Sequence, residues 1–229
     1  MDQPDVSDTG CQEQDRVRRS RNARVTGQNA AVTETRTAPT AGPAGRARVE
    51  RAALDLFRTR GFEDVTSDEV ADSAGISRRT FFRYFPTKAD AVWGDFAAHV
   101  ARLEELLSDA DPAQPVLTSV CAAYVEVNDY PEAELPLLRE RMRLILTEPA
   151  LLAHSQLRFA EIDRVVAGHV AARTGDSPTG LLPRLVAAST RAAATTAFEG
   201  WLGDDRSSLA EHLHAAFGEM AAGFPSLRA

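Results

Sequence analysis

The sequence predicts an all-α protein, with a small three-helix head followed by a larger helical body, about nine helices in all. Three observations predict it. Apolar residues recur at three- and four-residue spacings from about residue 46 to Phe224, and no stretch alternates apolar with polar residues as a half-buried strand does. Breaks at Asp111-Pro112, Tyr130-Pro131, Glu148-Pro149, Asp176-Ser177-Pro178 and Gly203-Asp204-Asp205 cut that pattern into helix-sized pieces. Residues 62–92 place two capped helix starts on either side of one glycine.

Residues 1–45 stand apart. They hold six arginines and six acids among Thr, Ala, Gly, Gln and Pro, with almost no aliphatic residues, so a disordered tail is expected. Arg16, Arg18, Arg19, Arg21 and Arg24 cluster within it. Two readings stay open for that cluster: a solvated tail, or an arm that adds phosphate contacts.

From Arg46 the stripe Val49, Ala53, Leu56 and Phe57 predicts the first helix, which Gly61 ends. Thr66 and Glu69 form a capping-box pair, with Val65 and Val70 placed as its hydrophobic staple, so a short helix runs from Thr66 to near Ser73. Gly75 supplies a left-handed turn, Ile76 anchors the turn, and Ser77 caps the next helix. That helix reads Arg78-Arg79-Thr80-Phe81-Phe82-Arg83-Tyr84-Phe85. Phe81 and Phe85 share its buried side, with Arg78, Arg79, Phe82 and Arg83 toward the other.

Net charge is −7, which by itself does not suggest a polyanion binder. The distribution is more informative. Residues 46–92 hold nine basic and eight acidic residues, residues 93–229 eleven and nineteen. Between Ser73 and Ala89 there are four basic residues and no acid, and Lys88 is the chain's only lysine. Only the contacting face of a DNA reader must be positive. A helix, a glycine turn and a capped basic helix form the arrangement that enters a major groove. Arginines at its start reach guanine edges, while hydroxyls, a lysine and helix N-termini hold phosphates.

The stretch from Ala52 to Val92 resembles the DNA-binding domain of the TetR family of transcriptional regulators. The residues that carry the resemblance are Phe57, Gly61, Phe62, Thr66, Val70, Ala71, Ala74, Gly75, Ile76, Ser77, Thr80, Phe81, Tyr84, Phe85 and Lys88. It implies a helix-turn-helix DNA-binding domain at 46–92 and a ligand-binding and dimerisation domain at 93–225. It also implies a homodimer on a palindromic double-stranded operator, released by a small hydrophobic ligand. Thr66, Tyr84 and Lys88 would hold phosphates. Ser77, Arg78, Arg79 and Thr80 would lie at base edges, with Arg83 on the same face. Phe82 stands where the family often has Tyr, so one phosphate hydroxyl is missing, and its ring could meet a thymine methyl or a sugar instead. The layout is most similar to regulators found with mycofactocin-type redox systems, which implies a long-chain acyl-CoA as inducer.

The body offers fewer signals. Leu137, Leu138, Met142, Leu144, Ile145 and Leu146 make one helix apolar on more than one side, as a central helix would be. Trp93, Phe96, Tyr124, Phe159 and Trp201 could line a cavity around it. Arg139, Arg141 and Arg143 on that helix could receive a phosphate or carboxylate, or form a solvated face. The candidate ligand set is Phe96, Tyr124, Arg139, Met142, Arg143, Phe159 and Trp201. Leu185, Ala188 and Ala192 in a small-residue helix, with Leu209, Leu213 and Phe217 after it, are the candidate dimer face.

Other classes have little support. The five histidines do not cluster, so no metal or cofactor is expected, and no nucleophile–base pattern suggests an enzyme. Cys11 and Cys121 are not expected to pair. No apolar run is long enough to span a membrane and the N-terminus is polar, so the expected location is the cytoplasm. A scaffold or enzyme that borrowed the fold without binding DNA is the alternative.

Overall fold

Helix α1 (Pro43–Arg60) starts on a proline, whose missing amide costs nothing in a first turn. It ends at Gly61 (φ +89°), whose amide donates to the Phe57 carbonyl. In this computed structural model, which describes residues 42–224, α1 is followed by α2 (Ser67–Ser73) and α3 (Arg78–Tyr84). Phe57 of α1, Phe81 of α3 and Phe85 just past it are fully buried, each contributing roughly 1.5–3 kcal/mol by burial alone. Phe62 closes that core edge-on to Phe57, ring centroids 5.0 Å apart. The tail with its arginine cluster lies outside the described residues.

The chain then leaves the head through α4 (Asp90–Trp93), a single turn broken at Gly94 (φ +64°), and α5 (Phe96–Ser108). The expected domain boundary at 92/93 therefore falls inside α4. The body continues with α6 (Val116–Val127), a 3-10 turn at Glu132–Glu134, α7 (Leu135–Thr147), α8 (Pro149–Thr174), α9 (Leu181–Gly203) and α10 (Leu209–Ala221). Ten α-helices and no strand are present among the described residues, one helix more than expected because the α4–α5 stretch breaks at Gly94. Each proline- or aspartate-rich break read from the sequence separates two helices. Among the described residues, no helix is long and apolar enough to cross a membrane.

Helices α8, α9 and α10 pack side by side, with α5, α6 and α7 completing the body. Small residues let α9 approach closely: Ala187, Ala194 and Ala197 are buried on it. The stripe on α10 faces its own protomer. Leu209, Leu213 and Phe217 are buried, and Phe217 meets the Tyr124 ring edge-on at 5.7 Å. They therefore cannot form the dimer face expected of them. A stripe pattern shows that a helix has an apolar side but not what covers it. Leu185, Ala188 and Ala192 on α9 do lie exposed.

Candidate functional site

The reader is built by short-range capping. At α2, Glu69 Oε2 accepts from the Thr66 amide and hydroxyl (2.8 Å each), and the Glu69 amide donates back to Thr66 Oγ1 (3.2 Å). Val65 and Val70 are fully buried beneath as the staple. Hydrogen bonds from the Thr66 backbone, from Arg60 and from the Thr66 hydroxyl hold the Glu69 carboxyl down at about 2. Gly75 at φ +66° turns the chain. Ser77 Oγ then accepts from the Thr80 amide (3.2 Å) and lies 3.0 Å from the Thr80 hydroxyl, which starts α3.

This presents Ser77, Arg78, Arg79, Phe82 and Arg83 to solvent. Phe82 is 40% exposed and leans edge-on against buried Phe81. Arg79 and Arg83, one turn apart, form no ion pair among the described residues. Arg83 only rests near the Tyr84 ring (5.4 Å), which is half-buried. Arg78 differs, since its Nη1 donates to Asp68 Oδ2 at 2.7 Å. The lack of acids within α3 therefore does not leave Arg78 unpaired, because its partner comes from α2.

Lys88 departs furthest from expectation. Its Nζ donates to the carbonyl oxygens of Phe62 (2.6 Å) and Val65 (3.0 Å), with Glu63 at 3.4 Å, and sits 4.3 Å from the Phe62 ring centroid. All three contacts are with carbonyls of the α1–α2 loop, so Lys88 clamps the head. The Thr66 hydroxyl likewise donates to Glu69 Oε2.

Below the head lies a cavity of about 590 Å³. Trp93, Phe96, Met142, Phe159 and Ile162 make its apolar wall. Glu50 of α1, His99, Tyr130 and Arg141 make its polar end, and exposed Arg51, Asp95, Arg102 and Glu134 stand at its rim. Phe96, Met142 and Phe159 are thus placed on one cavity as expected. Four candidates are not. Tyr124 is buried in the α6–α10 packing. Arg139 stacks 4.0 Å from the Trp201 ring and donates to the carbonyls of Trp201 (2.8 Å) and Asp204 (3.2 Å). Trp201 is buried beneath it, and Arg143 is exposed beside Glu140 at 3.4 Å. Of the three α7 arginines, the one on the cavity is Arg141.

Arg141 Nη2 donates to Glu50 Oε2 (3.1 Å), and Arg46 Nε donates to Glu50 Oε1 (3.3 Å). Arg46 also donates to the Gly94 carbonyl (2.8 Å). The Arg141 guanidinium lies so close to Gly94 that a Cβ there would sit 2.7 Å from Nη2. Burial raises the Glu50 carboxyl above its usual range despite both arginines. Burial, with the nearby Arg141 charge, pushes His99 down to about 4, so its ring is neutral. His99 Nδ1 stands 3.4 Å from the Tyr130 hydroxyl.

A second junction ties head to body. Buried Asp90 accepts from the Thr87 amide and hydroxyl (2.9 Å each) and from Arg158 of α8 (2.6 Å), with His154 at 3.3 Å. Burial pushes its carboxyl up, but these hydrogen bonds outweigh that and hold it below the usual range.

A capped three-helix head with an arginine-bearing third helix, over a helical body with its own cavity, defines a helix-turn-helix regulator. The chain belongs to the TetR family of bacterial transcriptional regulators, and is not an enzyme. Residues 51–91 match the family description "Bacterial regulatory proteins, tetR family", and residues 114–225 match "MftR C-terminal domain". It is 40% identical over 179 residues to a Mycobacterium tuberculosis protein described as "Putative mycofactocin biosynthesis transcriptional regulator MftR", covering 78% of this chain and 90% of that one. It is 29% identical over 163 residues to the HTH-type transcriptional regulator TcmR of Streptomyces glaucescens, covering 68% and 72%. In fold it is similar to SmeT of Stenotrophomonas maltophilia, solved with triclosan, at a TM-score of 0.57 and 18% identity, covering 79% and 91%.

Proposed function

We propose that this chain is a homodimeric cytoplasmic repressor that occupies a palindromic operator and leaves it when a small hydrophobic ligand fills the cavity under the head. The observation that carries the reading is the pair Arg79 and Arg83, exposed and without acidic partners beside the Ser77–Thr80 hydroxyls on a capped helix. Arg79, Ser77 and Thr80 then face base edges, while Arg83 and Tyr84 take phosphates. Arg78 exchanges Asp68 for DNA, and Phe82 offers an apolar contact. Seven residues read only a few base pairs, so two readers on a two-fold axis multiply the specificity. Leu185, Ala188 and Ala192, exposed at three- and four-residue spacing on α9, supply the self-pairing face.

Release works through the head–body junction. A ligand against Trp93, the last residue of α4, shifts that turn and with it the Thr87–Asp90–Arg158 link, which changes the distance between the two readers. The resemblance to mycofactocin-system regulators makes long-chain acyl-CoA the first ligand to try.

The test is a mobility-shift titration on the DNA upstream of the chain's own gene, with and without acyl-CoA and across salt. Binding that weakens steeply with salt and is abolished by acyl-CoA supports reader and inducer together. Binding that acyl-CoA does not touch removes that ligand. No binding at low salt overturns the reading.

A further inference from the structure

Arg46 lies near the start of α1 and outside the cavity lining, yet its side chain touches three parts of the chain at once. The guanidinium lies over the Phe85 ring, 4.8 Å from the centroid. Phe85 is fully buried and caps the C-terminal end of α3, the reader. Arg46 Nη2 donates to the Gly94 carbonyl at 2.8 Å, where α4 breaks from α5. Arg46 Nε donates to Glu50, one turn further along α1, and Glu50 is itself held by Arg141 of α7. Gly94 adopts φ +64° and ψ −143°, a conformation open essentially to glycine. Its two neighbours, Trp93 and Asp95, both line the cavity. The carbonyl that Arg46 holds therefore belongs to a bend in the cavity wall. A guanidinium is planar with donors in fixed directions. A shift of the Gly94 peptide must drag that group along or break its hydrogen bond, and either changes what rests on Phe85.

We infer that Arg46 is a positioning residue: it grips the backbone at Gly94, beside the cavity-lining Trp93, and sets the end of the reader helix through Phe85. This rests on the cavity being the inducer site, and names a residue through which its occupancy reaches the reader. Arg46 acts through others, since it lines neither the cavity nor α3. Its ion pair with Glu50, steadied by Arg141, holds the guanidinium in place before any ligand arrives. The route is separate from the Thr87–Asp90–Arg158 link. That link holds the start of α4 from α8, whereas Arg46 holds the break after α4 from α1.

The experiment measures operator affinity of the full chain by anisotropy, with and without saturating dodecanoyl-CoA, in the native chain, Arg46→Met and Arg46→Lys. Arg46→Met is expected to bind operator within about threefold of the native chain, while its release by dodecanoyl-CoA falls by about tenfold. Arg46→Lys keeps a charged donor for the Gly94 carbonyl and recovers part of the release. A merely structural Arg46 would leave the ratio of affinities with and without dodecanoyl-CoA unchanged, and that result overturns the inference. Loss of operator binding by Arg46→Met overturns it too, since Arg46 would then support the head itself. Hydrogen exchange on the free chain decides the matter without ligand or DNA. Trp93→Phe disturbs the bend from the cavity side, and should lower protection of amides 79–85 by about fivefold in the native background. In the Arg46→Met background the same substitution should add almost nothing, as expected of two residues on one route. Equal losses in both backgrounds overturn the inference. If dodecanoyl-CoA never releases the native chain, or operator is never bound, the inducer or the regulator reading falls, and the exchange measurement still decides the role of Arg46.

Discussion

Lys88 Nζ donates to the Phe62 carbonyl oxygen at 2.6 Å, so the residue after the reader is tied to the loop before it. Replacing Lys88 by Met leaves that carbonyl and the Val65 carbonyl without their donor. The expected cost is roughly 1–3 kcal/mol of stability, read as a lower melting temperature. The salt slope of DNA binding stays as it was. A slope reduced by about one would return Lys88 to a phosphate.

Arg79 and Arg83 should separate by what they read. Arg79→Ala is expected to cost about 1–3 kcal/mol on the preferred operator and to relax sequence preference at one position of each half-site. Arg83→Ala should weaken all sequences alike and lower the salt slope by about one. Anisotropy titrations on specific and scrambled duplexes distinguish these outcomes, and an equal loss on both duplexes for Arg79→Ala would remove it from base reading.

His99 gives the fold an acid-sensitive window. Its pKa falls from 6.5 to about 4 on folding, so between those values the unfolded chain binds more protons than the folded one. Stability is therefore complete above pH 6.5 and declines as the pH falls toward 4, by up to about 3 kcal/mol. His169, lowered by burial and by the Arg173 charge, leaves a smaller slope of the same sign. Urea midpoints across this range, in the native chain and in His99→Asn, measure the effect. An unchanged slope in the variant would refute it.

Arg139 and Arg141 lie two residues apart on α7 with different expected roles. Arg139→Gln loses the stacking on Trp201 and two hydrogen bonds to carbonyls, costing roughly 1–3 kcal/mol of stability. Thermal unfolding followed by circular dichroism measures the loss, and an unchanged midpoint would remove Arg139 from the packing of α7 on α9.

The α9 and α10 stripes should respond oppositely. Leu185 is 56% exposed, so Leu185→Glu should shift sedimentation from dimer to monomer with helical content unchanged. Leu213 is fully buried, and Leu213→Ala should cost about 2–5 kcal/mol of folding stability by leaving a cavity. A Leu185→Glu variant that stays dimeric would move the interface elsewhere.

The head was legible because its signals are short-range. Thr66 and Glu69, Gly75, and Ser77 with Thr80 act within three residues of one another, and spacing alone specifies them. Roles that depend on distant partners were not legible. Arg78 finds Asp68 ten positions back, and Lys88 finds carbonyls 23 and 26 positions back. On α7, arginines two apart point in different directions, and choosing among them requires the helix phase. One signal could have supplied it. Arg141 lies three residues after Leu138 and four before Ile145, a charge set within an apolar stripe, whereas Arg139 and Arg143 flank it. The partner of Arg141, Glu50, likewise stands next to Val49 on the buried side of α1.

Because Lys88 is the only lysine in the chain, a protease that cuts solely after lysine has one peptide bond to attack, at the seam between reader and body. That bond cannot be cleaved while Nζ is held on the Phe62, Glu63 and Val65 carbonyls, so each cut records one local opening of the seam. The chain thus carries a built-in clock. The two fragments report how often the head detaches, and a bound operator or occupied cavity should be readable as a change in that rate alone.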